Sequence, residues 1–205
     1  MPQVAKKRLD GVGRGQRPPR GFFLQVEDLT QQIQRAGIFY DLWWPLKGPE
    51  LEFNIDAANL FPDYFRFTHH AHLVAMIVHL MMPFESTGDR LSLESVINAG
   101  TREGLLSPQD RDDVRTRVRA LHDRLQRIKL IRHKCFAHRS NAQSYDEVWN
   151  EAKVSAKDFK STIDEAREAV NVLRRSAVLD PVEAWTRPKE SSEALFALLR
   201  AQCDN

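Results

Sequence analysis

The chain has 205 residues, of which 42% are apolar and 28% charged, with a formal net charge of +2. That is enough apolar material for one core of about 150 residues plus tails. Cys135 and Cys203 stand far apart without partners, which excludes a disulfide framework or a Cys-pair metal site. The longest apolar run, Leu73 to Met82, is interrupted by His79 and falls far short of the roughly 20 residues a membrane span needs. No secretory signal opens the sequence, so a cytoplasmic protein with no membrane partner is expected.

Residues 1–20 form a basic arm, with Lys6, Lys7, Arg8, Arg14, Arg17 and Arg20 among Gly and Pro and only Asp10 as an acid. Such a segment is expected to be disordered. The spacing of Val26, Leu29, Ile33 and Phe39 or Tyr40 predicts a helix from about Phe23 to Trp43, stopped by Pro45 and Gly48. Leu51-Glu-Phe-Asn-Ile55 alternates like a short strand. Phe65, Leu73, Ile77 and Leu80 mark a second long helix from Pro62, which Pro83 ends.

A short helix over Leu93–Ala99 is expected next, capped by Ser92 and closed by Gly100. Ser107-Pro108-Gln109-Asp110 then opens a third long helix, striped by Val114, Val118, Leu121, Leu125 and Ile128. A polar loop precedes Ser155-Ala-Lys-Asp158, which caps a fourth, striped by Phe159, Ile163, Ala166, Val170 and Leu173. Asp180-Pro181 marks a boundary, and a peripheral helix is expected within Ser192–Gln202. The fold expected is all-α, an up-and-down bundle of about four long helices with short accessory ones. Its bounds are 21–180, between the arm 1–20 and a tail 181–205.

The residues richest in chemistry lie at the end of the third helix, Ile131-Arg132-His133-Lys134-Cys135-Phe136-Ala137-His138-Arg139. A guanidinium five residues ahead of an imidazole can bind a phosphate and move protons near neutral pH. Spacing alone proves little, because Arg66 with His72, Arg117 with His122 and Arg127 with His133 are similar pairs. Context singles out Arg132. Eighteen residues make five turns at about 100° each, so Arg132 returns to the core direction of Val114, where a charge needs a partner. Residues 107–140 carry ten Arg or Lys against four Asp, and no acid lies between Arg124 and Tyr145. That is a footprint for a polyanion.

A helix ending in Ile-Arg-x-Lys-x-x-Ala-His, followed by a polar loop and another long helix, resembles HEPN domains, particularly those of bacterial abortive-infection proteins. The family signature is an Arg, four to six residues and a His, and Arg132 and His138 fill it. Lys134 and the Ala137-His138 pair also look like the abortive-infection branch. Where members often have a small polar residue after the Arg, this chain has His133. The resemblance implies a helical bundle that dimerises and, in many members, cleaves RNA without a metal, in a defence or toxin-antitoxin setting.

The residues are consistent with that chemistry. RNA transesterification needs a base for the 2′-hydroxyl, an acid for the departing 5′-oxygen and positive charge on the phosphate. One His138 supplies only one proton-transfer group, so a homodimer with its site on the two-fold axis is expected. Residues six apart on an α-helix diverge by about 240°, so the helix must break near Cys135 or the pair must be completed by a second chain. Leu130 and Ile131 leave the stripe, and a second subunit is the expected cover.

Arg132 and His138 are thus the candidate catalytic residues, with His133, Lys134 and Arg139 as candidate RNA contacts. No cofactor or metal is expected, and the partners expected are RNA, a second copy, and an antitoxin or other protein. The alternative is a noncatalytic helical dimer that binds RNA, a nucleotide or a protein. Two lesser possibilities are a metal site on the stripe His69, His72, Met76 and His79, and a Cys135 nucleophile activated by His138. Trp43, Trp44, Phe65 and Phe67 are expected in packing rather than base stacking.

Overall fold

Apolar residues at steps of three and four become buried helix faces throughout the chain. The computed structural model describes residues 21–48, 51–85, 91–137 and 143–203, and nine α-helices and no strand occur among the described residues. They are α1 (Phe22–Trp43), α2 (Leu51–Asn59), α3 (Pro62–Met81), α4 (Leu93–Arg102), α5 (Pro108–Ala120), α6 (His122–Ile131), α7 (Tyr145–Ala152), α8 (Ala156–Ser176) and α9 (Arg187–Cys203). A π-helical turn, Arg132–Ala137, continues directly from α6. The basic arm expected over 1–20 lies outside the described residues.

Helix α1 packs against both α3 and α8, and α5 lies on α8. One apolar cluster joins Trp43, Leu73, Ile77, Leu80, Leu125, Ile128, Ile131 and Phe159. A second joins Leu29, Ile33, Ile97, Val114, Ala166 and Val170. Each large side chain buried this way stabilises by about 1.5–3 kcal/mol. The core thus comes mainly from α1, α3, α5 with α6, and α8, the four long stretches expected of the bundle, with Leu93, Val96 and Ile97 added by α4.

Several details differ from expectation. The alternating segment at 51–55 is helical. Its buried residues, Asn54, Ala57 and Ala58, follow helical spacing, while the apolar Leu51, Phe53 and Ile55 are exposed. Asn54 is held there because its amide donates to the Pro45 carbonyl at 2.9 Å and accepts from Arg200 at 2.5 Å. Gly100 does not end α4 but lies buried inside it, where a Cβ would meet the Phe22 ring at 2.7 Å. The stop is Gly104, at φ +69°, with Leu105 N–H donating to the Gly100 carbonyl and Gly104 N–H to that of Thr101, the two bonds of a Schellman ending.

The third long helix divides at Leu121, whose N–H is shared between the Arg117 and Val118 carbonyls at 3.3 and 3.2 Å. That local tightening toward a 3₁₀ turn leaves Leu121 fully buried. The polar loop contains α7, started by a capping box between Ser144 and Glu147. Helix α9 begins five residues earlier than expected. It buries Ser192 and Phe196, the latter against Phe65 at 5.3 Å between rings.

The segment between α8 and α9 is pinned to the bundle by Asn171 and Arg174. Asn171 donates to the Val182 carbonyl and accepts from its N–H at 3.2 and 2.8 Å. Buried Arg174 donates to the Asp180 carbonyl at 2.5 Å and to Glu27 at 2.8 Å, with Thr30 at 3.2 Å. These contacts fasten three parts of the chain through one guanidinium.

The histidine stripe of α3 faces the aromatic side of α1. His69 stacks on Trp43 at 5.7 Å, His79 stacks on Phe39 at 5.7 Å, and His72 lies 5.9 Å from the same Phe39 ring. His79 Nδ1 also bonds to Gln32 at 2.7 Å. Among the described residues no three His, Cys, Asp or Glu are grouped to hold a metal ion. Burial, aided by the positive Lys47, pushes His69 down to about 4, and burial also lowers His72 and His79. Trp43 and Phe65 pack as expected, whereas Phe67 is 67% exposed.

Two outcomes follow from this packing. Arg174→Ala should lose about 2–3 kcal/mol of unfolding free energy in urea, and Arg174→Lys should recover only part of it. The histidines bind protons in the unfolded chain near pH 6.5 but resist them in the bundle. Stability is therefore full above about pH 6.5 and lost progressively toward pH 4. Urea melts should show a fall of about 1–2 kcal/mol between pH 7.5 and 5, with a shallower slope in His69→Gln. A flat profile in the wild type would contradict neutral, half-buried histidines.

Candidate functional site

Helix α6 delivers Arg132 to the point where its own geometry changes. Ile128 and Ile131 are fully buried, so the end of α6 is fixed in the core by its last turn. From Arg132 the chain widens into the π turn. Such turns shift hydrogen bonding from four to five residues and often occur at functional positions. The expected break near Cys135 is thus a change of pitch that begins at Arg132 itself.

The core direction expected for Arg132 is taken by Ile131 instead. Ile131 is covered by its own chain, which corrects the expectation that a second subunit would cover it. Leu130 also packs against that core. Arg132 turns aside and forms an ion pair with Glu85, which follows the 3₁₀ turn Met82–Phe84 at the end of α3. The two side chains are 21% and 14% exposed. A guanidinium this far from water needs such a partner. Glu85 carried no sequence signal, being 47 residues from Arg132 and outside any motif.

The rest of the π turn is held by packing and one polar clasp. Phe136 meets His70 at 5.8 Å and Tyr145 at 6.3 Å between rings, joining α3 to α7. Cys135 packs against the core, and burial pushes its thiol pKa up, the wrong direction for a nucleophile. Lys134 donates to Gln143 at 2.6 Å and Glu151 at 3.1 Å, while Gln143 donates to Glu151 at 2.9 Å. These bonds hold the Glu151 carboxyl below its usual range. Lys134 therefore ties the turn to α7, and His133 is exposed. His138 and Arg139 lie outside the described residues.

The acid-free stretch of sequence also finds acids in space. Arg127 donates to the Lys153 carbonyl at 2.8 Å and lies 3.7 Å from Asp158, and Arg124 donates to Ser161 at 2.5 Å. Upstream, Arg115 pairs with Glu94 at 2.6 Å, and Arg117 with Asp113 at 3.1 Å. Much of the expected basic footprint is internal cross-linking between helices.

No helix among the described residues is long and apolar enough to cross a membrane. Comparison with curated proteins and with solved structures gives no match. The family comparison does give one: HEPN AbiU2, described as AbiU2, matches residues 24–187. That stretch runs from the start of α1 to the first residue of α9 and includes Glu85, Arg132 and the position of His138. With the match spanning most of the chain and every described element helical, this protein belongs to the HEPN AbiU2 family, of the abortive-infection type.

Proposed function

We propose that the protein is a cytoplasmic, metal-independent endoribonuclease of a defence or toxin-antitoxin system, acting as a homodimer. The observation that carries this reading is Arg132. The family's signature arginine stands at the junction of α6 and the π turn, held by Glu85 rather than left to solvent. A guanidinium with five donors can keep one carboxylate and still offer donors to a phosphate.

In the proposed reaction His138 of one chain takes the proton from a ribose 2′-hydroxyl, whose oxygen attacks the adjacent phosphorus. Arg132 stabilises the charge that develops on the phosphoryl oxygens. The bond to the 5′-oxygen breaks, and that oxygen receives a proton from His138 of the other chain. The products are a 2′,3′-cyclic phosphate and a 5′-hydroxyl. His133, Lys134 and Arg139 would steady the RNA backbone, Lys134 only after loosening its clasp on Glu151. An antitoxin or other protein partner would restrain such an activity in the cell.

The ion pairs of Arg132 and Lys134 favour a second reading, because a purely structural arginine would be held in the same way. On that reading the protein is a noncatalytic helical dimer that binds RNA, a nucleotide or a protein. Cleavage separates the two. Purified protein should cut RNA in EDTA, and Arg132→Ala and His138→Ala should each reduce the rate by about 10²-fold or more. Equal cleavage by both variants would end the ribonuclease assignment.

Glu85 supplies a further outcome. Its carboxylate competes with phosphate for Arg132, so Glu85→Gln should keep the guanidinium in place while raising RNA affinity several-fold in anisotropy titrations at fixed salt. Weaker binding by that variant would mean that Glu85 supports the site without competing for it.

A further inference from the structure

Helices α2 and α9 border a cleft of about 440 Å³, and none of the residues around Arg132 lines it. Its walls are Pro45, just past the end of α1, Phe53 and Asn54 of α2, and Glu193, Phe196 and Arg200 of α9. Three separate segments of the chain thus meet around one hollow. Its volume falls within the range of small-molecule sites, roughly 300–1,000 Å³.

One wall holds a charge in a fixed place. Asn54 is fully buried. Its side-chain oxygen accepts from Arg200 Nη1 at 2.5 Å, and its amide is spent on the Pro45 carbonyl at 2.9 Å. A guanidinium is planar, so tying one nitrogen to a buried amide fixes the direction of the donors that remain. Arg132, Arg167 and Arg174, likewise drawn away from water, each meet a carboxylate. Among the described residues no carboxylate pairs with Arg200, which meets only the neutral Asn54. Glu193 lines the same cleft but lies 3.6 Å from Lys189. The rest of the lining is apolar. Phe196 is 4% exposed and packs on Phe65 at 5.3 Å, so its ring is a fixed wall. Phe53 is 68% exposed, and α2 buries Asn54, Ala57 and Ala58 instead.

We propose that this cleft binds a monocarboxylate on an apolar body, with the carboxylate on Arg200 and the body against Phe53 and Phe196. Charge decides the class. A carboxylate fits the fork of donors that a guanidinium presents. A doubly charged phosphate monoester would bring its second charge to a lining that holds no second cation and does hold Glu193. A neutral apolar body would desolvate the guanidinium and leave it unanswered. Single-stranded RNA is held by a run of cations along its backbone, and this lining has one.

A free acid and the carboxylate end of a peptide share this chemistry, and binding experiments separate them. Pro45, α2 and α9 all touch the bound acid, so occupancy fastens these three segments together and raises the melting temperature. The site is separate from the proposed ribonuclease chemistry and rests on none of it.

Calorimetric titration of the full chain with naphthoate should show saturable binding at one site, together with a rise in melting temperature. Naphthamide, its neutral counterpart, and naphthyl phosphate should each bind about 10-fold more weakly or worse. Arg200→Gln keeps a donor for Asn54 and removes the charge, and should weaken naphthoate by about 10-fold or more with helical content unchanged. Phe53→Ala, at an exposed position that the fold does not need, should weaken it several-fold. A short peptide ending in Phe with a free carboxylate assigns the site to chain ends if it binds more tightly than naphthoate, and to free acids if it binds more weakly. Absence of naphthoate binding at about 1 mM, equal binding of naphthamide, or an unaffected Arg200→Gln overturns the proposal. Displacement of naphthoate by an RNA oligonucleotide also overturns it, since the cleft would then belong to a nucleic-acid surface. None of these readouts depends on RNA cleavage, so failure here leaves the ribonuclease reading standing, and loss of that reading leaves the cleft.

Discussion

The ion pair between Arg132 and Glu85 is the contact on which the architecture around the candidate site turns. Ile128 and Ile131 are fully buried, so the next side chain in the chain emerges close to the core with little freedom to reach bulk water. A guanidinium in that position is costly unless a carboxylate meets it. Glu85 does so from the end of α3, and the pair thereby couples the end of one long helix to the start of the π turn. Removing the Glu85 carboxylate takes from Arg132 the acid that meets it in this partly buried position, so the arginine depends on that glutamate. A phosphate can satisfy a guanidinium in the same forked geometry as a carboxylate does, which is the chemical basis of the proposed role of Arg132.

Charge along the chain and charge in space tell different stories here. The sequence between Arg124 and Tyr145 holds bases without acids, which suggests an open basic surface. In the fold, acids arrive from α7, α8 and the end of α3. Arg127 meets Asp158, Lys134 meets Glu151 and Arg132 meets Glu85. Most of these pairs are partly exposed and each contributes little to stability. Their collective effect is to fix where the basic side chains point. RNA binding on such a surface would rest on rearranging existing pairs more than on long-range attraction, and its dependence on salt would be modest for the number of bases present.

How much of this was legible in the sequence depended on which physical signal each element used. The long helices were readable because Val26, Leu29 and Ile33, or Phe159, Ile163 and Ala166, bury one face at helical spacing and need no other information. The caps at Ser92, Ser107 and Ser155 were equally local. Helix α2 was misread because its alternating apolar residues are the exposed ones and its buried anchor is a polar side chain, Asn54, satisfied by Pro45 and Arg200. Helix α7 carried its capping box in plain view at Ser144 and Glu147, and the polar composition around it masked the signal. Arg132 stood out in the sequence as a charge that needs a partner, which it has in Glu85, although the core direction expected for it belongs to Ile131. Glu85 could not stand out, since only the fold brings residues 47 apart into contact.

Helix α3 shows how one element can serve the fold and the site with different faces. Its histidines pack as neutral rings on Phe39 and Trp43, which lets imidazoles line a protein interface without charge. Its opposite flank touches the π turn through His70 and Phe136. Its inner face fills the core, and its end supplies Glu85. The remaining arc of this helix, with Tyr64, Phe67, Ala71, Val74, Ala75 and Val78, carries no charge. A movement of α3 would shift Glu85 and the His70–Phe136 contact together, because both hang on one rigid rod about 30 Å long. Anything that holds this helix in place therefore also sets the geometry in which Arg132 meets Glu85.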